Sequence, residues 1–152
     1  MSSNSSPAAS RDFLVIGYGN TLRGDDGVGP RVAEAIEKLN LPGVRTLVCQ
    51  LLSPEYADPV SRAHTVMFVD AAVDAPREVQ LRKLEPRESS QLMAHAADPR
   101  TLLALARDVF GHAPQAWWLT IPATKLDFSE TLTPEAQRGF AEAVKKIQEL
   151  CR

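Results

Sequence analysis

Five of the eight glycines in this chain fall between Gly17 and Gly29, within the stretch VIGYGNTLRGDDGVGPRVAEAI. Glycine that dense between an apolar run and an amphipathic one calls for a strand, a tight loop and a helix in succession. The apolar run, DFLVIGYG, reads as a strand buried on both faces. Beyond the loop, Pro30 suits a first helical position, and Val28, Val32, Ile36 and Leu39 recur at helical spacing opposite Glu34, Glu37 and Lys38. Into this loop the sequence sets two adjacent carboxylates, Asp25 and Asp26.

Those carboxylates argue against the usual cargo of such a loop. A GxGxxG motif from Gly17 needs glycine where Leu22 stands, no GxxxxGK[ST] occurs, and two aspartates at a helix start repel phosphate. A nucleotide-binding domain of flavodoxin-like topology therefore rests on fold analogy alone. Neither GxSxG nor HExxH is present, and Cys49, inside an apolar run, reads as an inert buried thiol. With two cysteines and no CxxC there is no disulfide framework, which points to a reducing, cytoplasmic setting. A formal charge of -2 speaks against a nucleic-acid or anionic membrane partner, and no apolar run reaches the ~20 residues of a membrane span. Residues 1–11 lack the features of a signal peptide and read as a disordered tail ahead of a single domain, 12–152.

Strand and helix signals alternate through that domain. VRTLVCQLL offers a second strand, Ser53-Pro54 opens a short helix to about Ala63, and TVMFVD, Thr65 to Asp70, is a third strand. Such alternation implies a parallel sheet. EVQLRKLEP follows Asp70 too closely for a crossover helix and reads as an antiparallel or edge strand. Asp98-Pro99 caps a helix whose stripe is Leu102, Leu103, Ala106, Val109 and Phe110, stopped by Gly111. AWWLTIP is a last buried strand with Trp117 and Trp118 on opposite faces, both assigned to packing. Thr133-Pro134-Glu135 opens the final helix, with Ala136, Phe140, Val144, Ile147 and Cys151 on one side.

Ligands of an open parallel sheet collect at the carboxyl ends of its strands, where neighbouring connections diverge. If strand order begins 2-1-3, Asp26 after the first strand and Asp70 at the end of the third face one crevice, their strands ~4.8 Å apart. His95, in the loop SSQLMAHAADP, joins them if the fourth strand is antiparallel. Asp, Asp and His make a mixed oxygen and nitrogen set suited to nickel or zinc. Taken singly, Asp26 would be a helix-terminal charge, Asp70 a turn cap and His95 an exposed loop residue; it is their convergence that suggests a site. His64 and His112 read as surface residues.

The combination GYGNTLRGDDGVGPRVAE, FVDA at 68–71 and a lone histidine before a proline-started helix resembles the nickel-iron hydrogenase maturation endopeptidases. The likeness extends through QLLSPEYADPVSRA to the LTPE entry of the last helix. It implies a three-layer α/β/α sandwich around a five-stranded, mostly parallel sheet of order 2-1-3-5-4, with the fourth strand antiparallel. It also implies removal of a C-terminal extension from the hydrogenase large-subunit precursor once nickel has been inserted. By this resemblance Asp26, Asp70 and His95 contact nickel carried by the substrate, and an isolated protein of this kind could take another divalent metal there. Asn20, Gly24, Asp25 and Gly27 would support the loop, with Asp25 orienting Asn20 or Arg23. No residue is assigned as nucleophile or general base, and a monomer is expected. The alternative is a non-catalytic checkpoint or chaperone that binds the nickel-loaded subunit without cutting it. One departure concerns the turn before the last helix, where glycines are frequent in that family and DFSETLTPE has Ser129 and Thr131.

Overall fold

The computed structural model describes residues 12–73, 77–88 and 98–151. The expected tail, residues 1–11, and His95 lie outside them. Strands β1 (Phe13–Tyr18), β2 (Val44–Cys49), β3 (Thr65–Ala72), β4 (Gln80–Leu84) and β5 (Gln115–Pro122) form one sheet of order β2-β1-β3-β5-β4. All pairs are parallel except β4 with β5, and β4 takes an edge, as its closeness to Asp70 in sequence, too short for a crossover helix, indicated.

Helices α1 (Val28–Leu39), α2 (Ala57–Ser61), α3 (Pro99–Phe110) and α4 (Pro134–Leu150) complete three layers. Leu14, Ile16, Val66 and Phe68 face α2 and α3, packing with Val60, Leu102, Leu103 and Ala106. Val15, Met67 and Val69 point the other way, onto Val32 and Ile36 of α1 and Ala143 and Ile147 of α4. The continuous apolar runs of β1 and β3 thus follow from burial on both faces.

The helix caps are those the sequence signalled. Asp98 accepts from Arg100 N at 2.7 Å, the Thr133 hydroxyl accepts from Ala136 N at 3.2 Å, and Gly111 ends α3 at φ 83°. Other boundaries differ. Helix α1 begins at Val28, so Pro30 is its third residue; the N–H groups of a first turn have no intrahelical acceptor, and proline is tolerated there. Ahead of it Gly24–Gly27 winds into a 3-10 turn that carries both aspartates. The segment after Ser53 divides into a 3-10 turn, Pro54–Tyr56, and α2. β2 stops at Cys49, and Leu52 turns into the core beside α2. Leu39, Val109 and Phe110 are exposed, because each sits in the last two residues of its helix, where the chain leaves the sheet.

Helix α1 meets the sheet through glycine. A Cβ on Gly17 would overlap the Gly29 carbonyl oxygen, and one on Gly29 would run into the carbonyls of Val69 and Tyr18. This backbone-to-backbone approach brings the Asp25-Asp26 turn over the carboxyl ends of β1 and β3. Gly17→Ala and Gly29→Ala should each lower the free energy of unfolding in urea by roughly 3 kcal/mol, the upper range for overpacking. Gly111→Ala, where a Cβ meets nothing within 4 Å, should cost only about 1 kcal/mol, from its left-handed backbone.

Candidate metal-contacting site

Asp26 and Asp70 lie near enough for the charge of one to act on the other. Strand β3 runs two residues past the expected end at Asp70, to Ala72, and Asp70 lies one residue past the Gly17–Val69 pairing of β1 with β3, beside Tyr18 at the end of β1. The Asp26 charge reaches Asp70 and pushes its carboxyl up, although burial is the larger cause; hydrogen bonds from Tyr18 and the Ala71 amide oppose both, and the balance stands at about 6. Asp26 is half-buried, and its Oδ2 accepts from the Asn20 amide at 2.8 Å. Asn20 in turn closes its own turn, its Oδ1 accepting from Leu22 N at 2.9 Å. The expected support from Asn20 therefore acts on Asp26 through the backbone.

Asp25 supports the loop in a different way from that expected. Rather than orienting Asn20 or Arg23, its fully buried carboxylate accepts from Thr133 N at 2.8 Å, Thr133 Oγ1 at 2.8 Å, Thr124 N at 2.9 Å, and Thr124 Oγ1 and Lys125 N at 3.3 Å. Burial raises this carboxyl, but the hydrogen bonds from Thr124, Thr133 and Lys125 outweigh it and hold the group below the usual carboxylate range. The backbone joins the same two segments: Asp25 N donates to Lys125 O at 2.9 Å, Gly24 N to Ser129 O at 2.8 Å, and Ser129 N to Leu22 O at 2.9 Å. Gly24, at φ 56°, leaves no room for a Cβ beside the Lys125 carbonyl, and Gly27 packs on Thr21. Ser129 and Thr131, the departures from glycine, bond each other at 2.9 Å and fix the turn with side chains instead.

The sequence did not single out Tyr18 as part of the site. Its phenol is buried, is raised well above the usual range by that burial and by the Asp70 charge, and donates to Asp70. Trp118 Nε1 donates to Tyr18 Oη at 3.1 Å, with Arg82 stacked 5.3 Å from the Trp118 ring centroid. Trp118, half-buried rather than sealed in the core, also lines an open groove of about 640 Å³ with Arg82, Lys83 and Arg100. The only available signal was the position of Tyr18 at the end of a central strand.

His95 falls in the undescribed segment 89–97, whose flanks are tied together. Arg87 pairs with Asp98 at 2.6 Å and its amide donates to Arg100 O at 3.0 Å. Among the described residues no three His, Cys, Asp or Glu side chains are grouped to hold a metal ion. His64 and His112 are exposed, Cys49 and Cys151 are free thiols, and no helix among the described residues is long and apolar enough to cross a membrane.

Comparison with known proteins places this arrangement in a recognisable fold. The hydrogenase 2 maturation peptidase of a Thaumarchaeota archaeon superposes with a TM-score of 0.67 at 23% identity, covering 91% of this chain and 96% of that one. The hydrogenase maturating endopeptidase HybD of E. coli gives 0.69 at 20% identity, covering 89% and 88%. The nickel-iron hydrogenase maturation protease HycI of Thermococcus kodakarensis gives 0.72 at 18%, covering 93% and 92%. The α/β fold and its 2-1-3-5-4 sheet are those of HybD-type proteases. In sequence, 32 residues are 53% identical to a Methanocaldococcus jannaschii protein provisionally named a hydrogenase maturation protease, a match spanning 21% of either chain. No family model matches.

Asp25 and Asp70 should respond oppositely to mutation. Asp25→Ala leaves the Thr124 and Thr133 donors without an acceptor and should destabilise by roughly 3 kcal/mol in urea unfolding. Asp70 has a folded value of about 6, above its unfolded one, so its contribution favours folding as pH falls from about 6 toward 4 and is lost as pH rises through 6. Asp70→Asn should therefore abolish that slope and raise stability at neutral pH by up to ~3 kcal/mol.

Proposed function

We propose that this chain is an endopeptidase that removes the C-terminal extension of a nickel-iron hydrogenase large-subunit precursor after nickel insertion. The observation that carries the proposal is the meeting of Asp26 and Asp70 at the carboxyl ends of β1 and β3, in a fold shared with hydrogenase maturation peptidases. Two carboxylates satisfy only part of a metal's coordination, since four ligands are the usual minimum. A nickel ion already held by substrate cysteines brings the remainder, and His95 is proposed as the third donor from this chain.

On this reading the metal is part of the substrate, and these residues test for its presence. Asp26, held by the Asn20 amide through one oxygen, offers the other to the ion. Asp70, kept in place by the Tyr18 hydroxyl and the Ala71 amide, offers a carboxylate whose charge is costly until a cation arrives. The ion supplies Lewis-acid polarisation of a nearby carbonyl or water when bound. Docking through two or three ligands fixes the scissile bond relative to the sheet edge, which converts metal occupancy into permission to cut. Trp118 and the groove beside it offer the adjoining substrate chain a place to lie.

Intact mass spectrometry of the precursor, incubated with this protein with and without nickel loading, tests the proposal. Loss of a C-terminal peptide only from the loaded precursor is expected, and Asp26→Ala or His95→Ala should slow that loss by roughly 100-fold, the scale of misplaced reactants. Wild-type cleavage rates in both variants would refute the ligand assignment. Binding without cleavage would favour the checkpoint reading.

A further inference from the structure

We infer that Leu22 and Phe128 form an apolar docking element for a folded protein substrate, held in register with Asp26 by Asp25; the inference rests on the proposed reading of the site. Phe128 is 85% exposed and Leu22 46%, an unusual pairing for side chains this large on a segment so tightly bonded. Their backbones are neighbours, since Ser129 N donates to Leu22 O at 2.9 Å and Arg23 bridges Ser129 in parallel. The segment bearing Phe128 is pinned on both sides: Thr124, Lys125 and Thr133 bond the Asp25 carboxylate, and the Glu130 carbonyl accepts from Arg31 of α1. Phe128 is therefore presented by a fixed frame, one residue of which is the sequence neighbour of Asp26.

The rest of that edge fits the same use. Leu51, after β2, and Val73, after β3, are also exposed, so large apolar side chains follow four adjacent parallel strands. At ~4.8 Å per strand the row spans roughly 15 Å, the width of a protein contact rather than of a small ligand. Within it lie Asp26 and Asp70. An occupant must offer apolar surface around a cationic centre, and a metal-bearing protein does so. A second copy of this chain would set the same carboxylates against each other across a two-fold axis, which costs affinity.

Phe128→Ser and Leu22→Ser test the assignment, because both side chains are exposed and their loss should leave thermal unfolding unchanged. With nickel-loaded precursor, KM should rise about ten-fold or more while kcat stays within about two-fold, the signature of lost uniform binding. An unchanged KM, with the wild type cleaving normally, overturns the docking element and leaves the proposed function standing. A wild type that neither binds nor cleaves the precursor overturns both. Sedimentation of the protein alone supplies the remaining outcome: a dimer that Phe128→Ser converts to monomer would make this face a self-association surface and overturn the assignment.

Discussion

The buried carboxylate of Asp25 is the interaction on which the site depends. Its position is 108 residues from Thr133 and 99 from Thr124, yet its two oxygens gather donors from both. A carboxylate excluded from water is stable only when its lone pairs are met, and here two amides and a hydroxyl lie within 2.9 Å. The bonds serve both partners. They discharge the desolvation of the carboxylate, and they take up amide donors in a connection between β5 and α4 that has no regular secondary structure. Two loops that would otherwise move independently become one rim.

That rim explains the division of labour between adjacent aspartates. Successive residues in a tight turn point in different directions, so one carboxylate can be spent inward while the next faces the crevice. Asp25 is wholly buried and Asp26 only half-buried, and the charge that reaches Asp70 is that of Asp26. A loop can thus present a ligand with the fixity of a strand, which a ligand set assembled from separate elements requires.

Much of this was legible in the sequence because it is local. Continuous apolar runs mark strands buried on both faces, Asp98-Pro99 and Thr133-Pro134 mark helix starts, and the dense glycines mark a loop against a sheet. The convergence of Asp26 and Asp70 could be reasoned from topology, since strand ends are where a parallel sheet opens. The start of α1 was misplaced because proline is allowed anywhere in a first helical turn. The apolar stripes overran at Leu39, Val109 and Phe110 because spacing records which face a residue is on, not where the sheet beneath it ends. The partners of Asp25 and the chain from Trp118 through Tyr18 to Asp70 were hidden for a different reason: each joins residues far apart in sequence, Trp118 and Tyr18 by 100 and Thr133 and Asp25 by 108, and nothing local marks either end.

The Trp118–Tyr18–Asp70 chain also sets the terms on which a cation would be accepted. Asp70 is half-buried beside a second carboxylate, so its charged form is held back by burial first and by Asp26 second. The Tyr18 hydroxyl offsets only part of that cost, and since the phenol stays protonated it orients the carboxylate without neutralising it. On the proposed reading, a divalent cation between the two aspartates would reverse both penalties together: their mutual repulsion would become joint attraction, and the proton that Asp70 would hold near pH 6 would be released. At neutral pH, where Asp70 has lost its proton, the energy stored by placing two acids at one strand crevice would thus be recovered by an entering cation. An apolar protein surface lacking such a centre would bury the charges without compensation, so the same geometry that favours a metal-bearing partner works against an empty one.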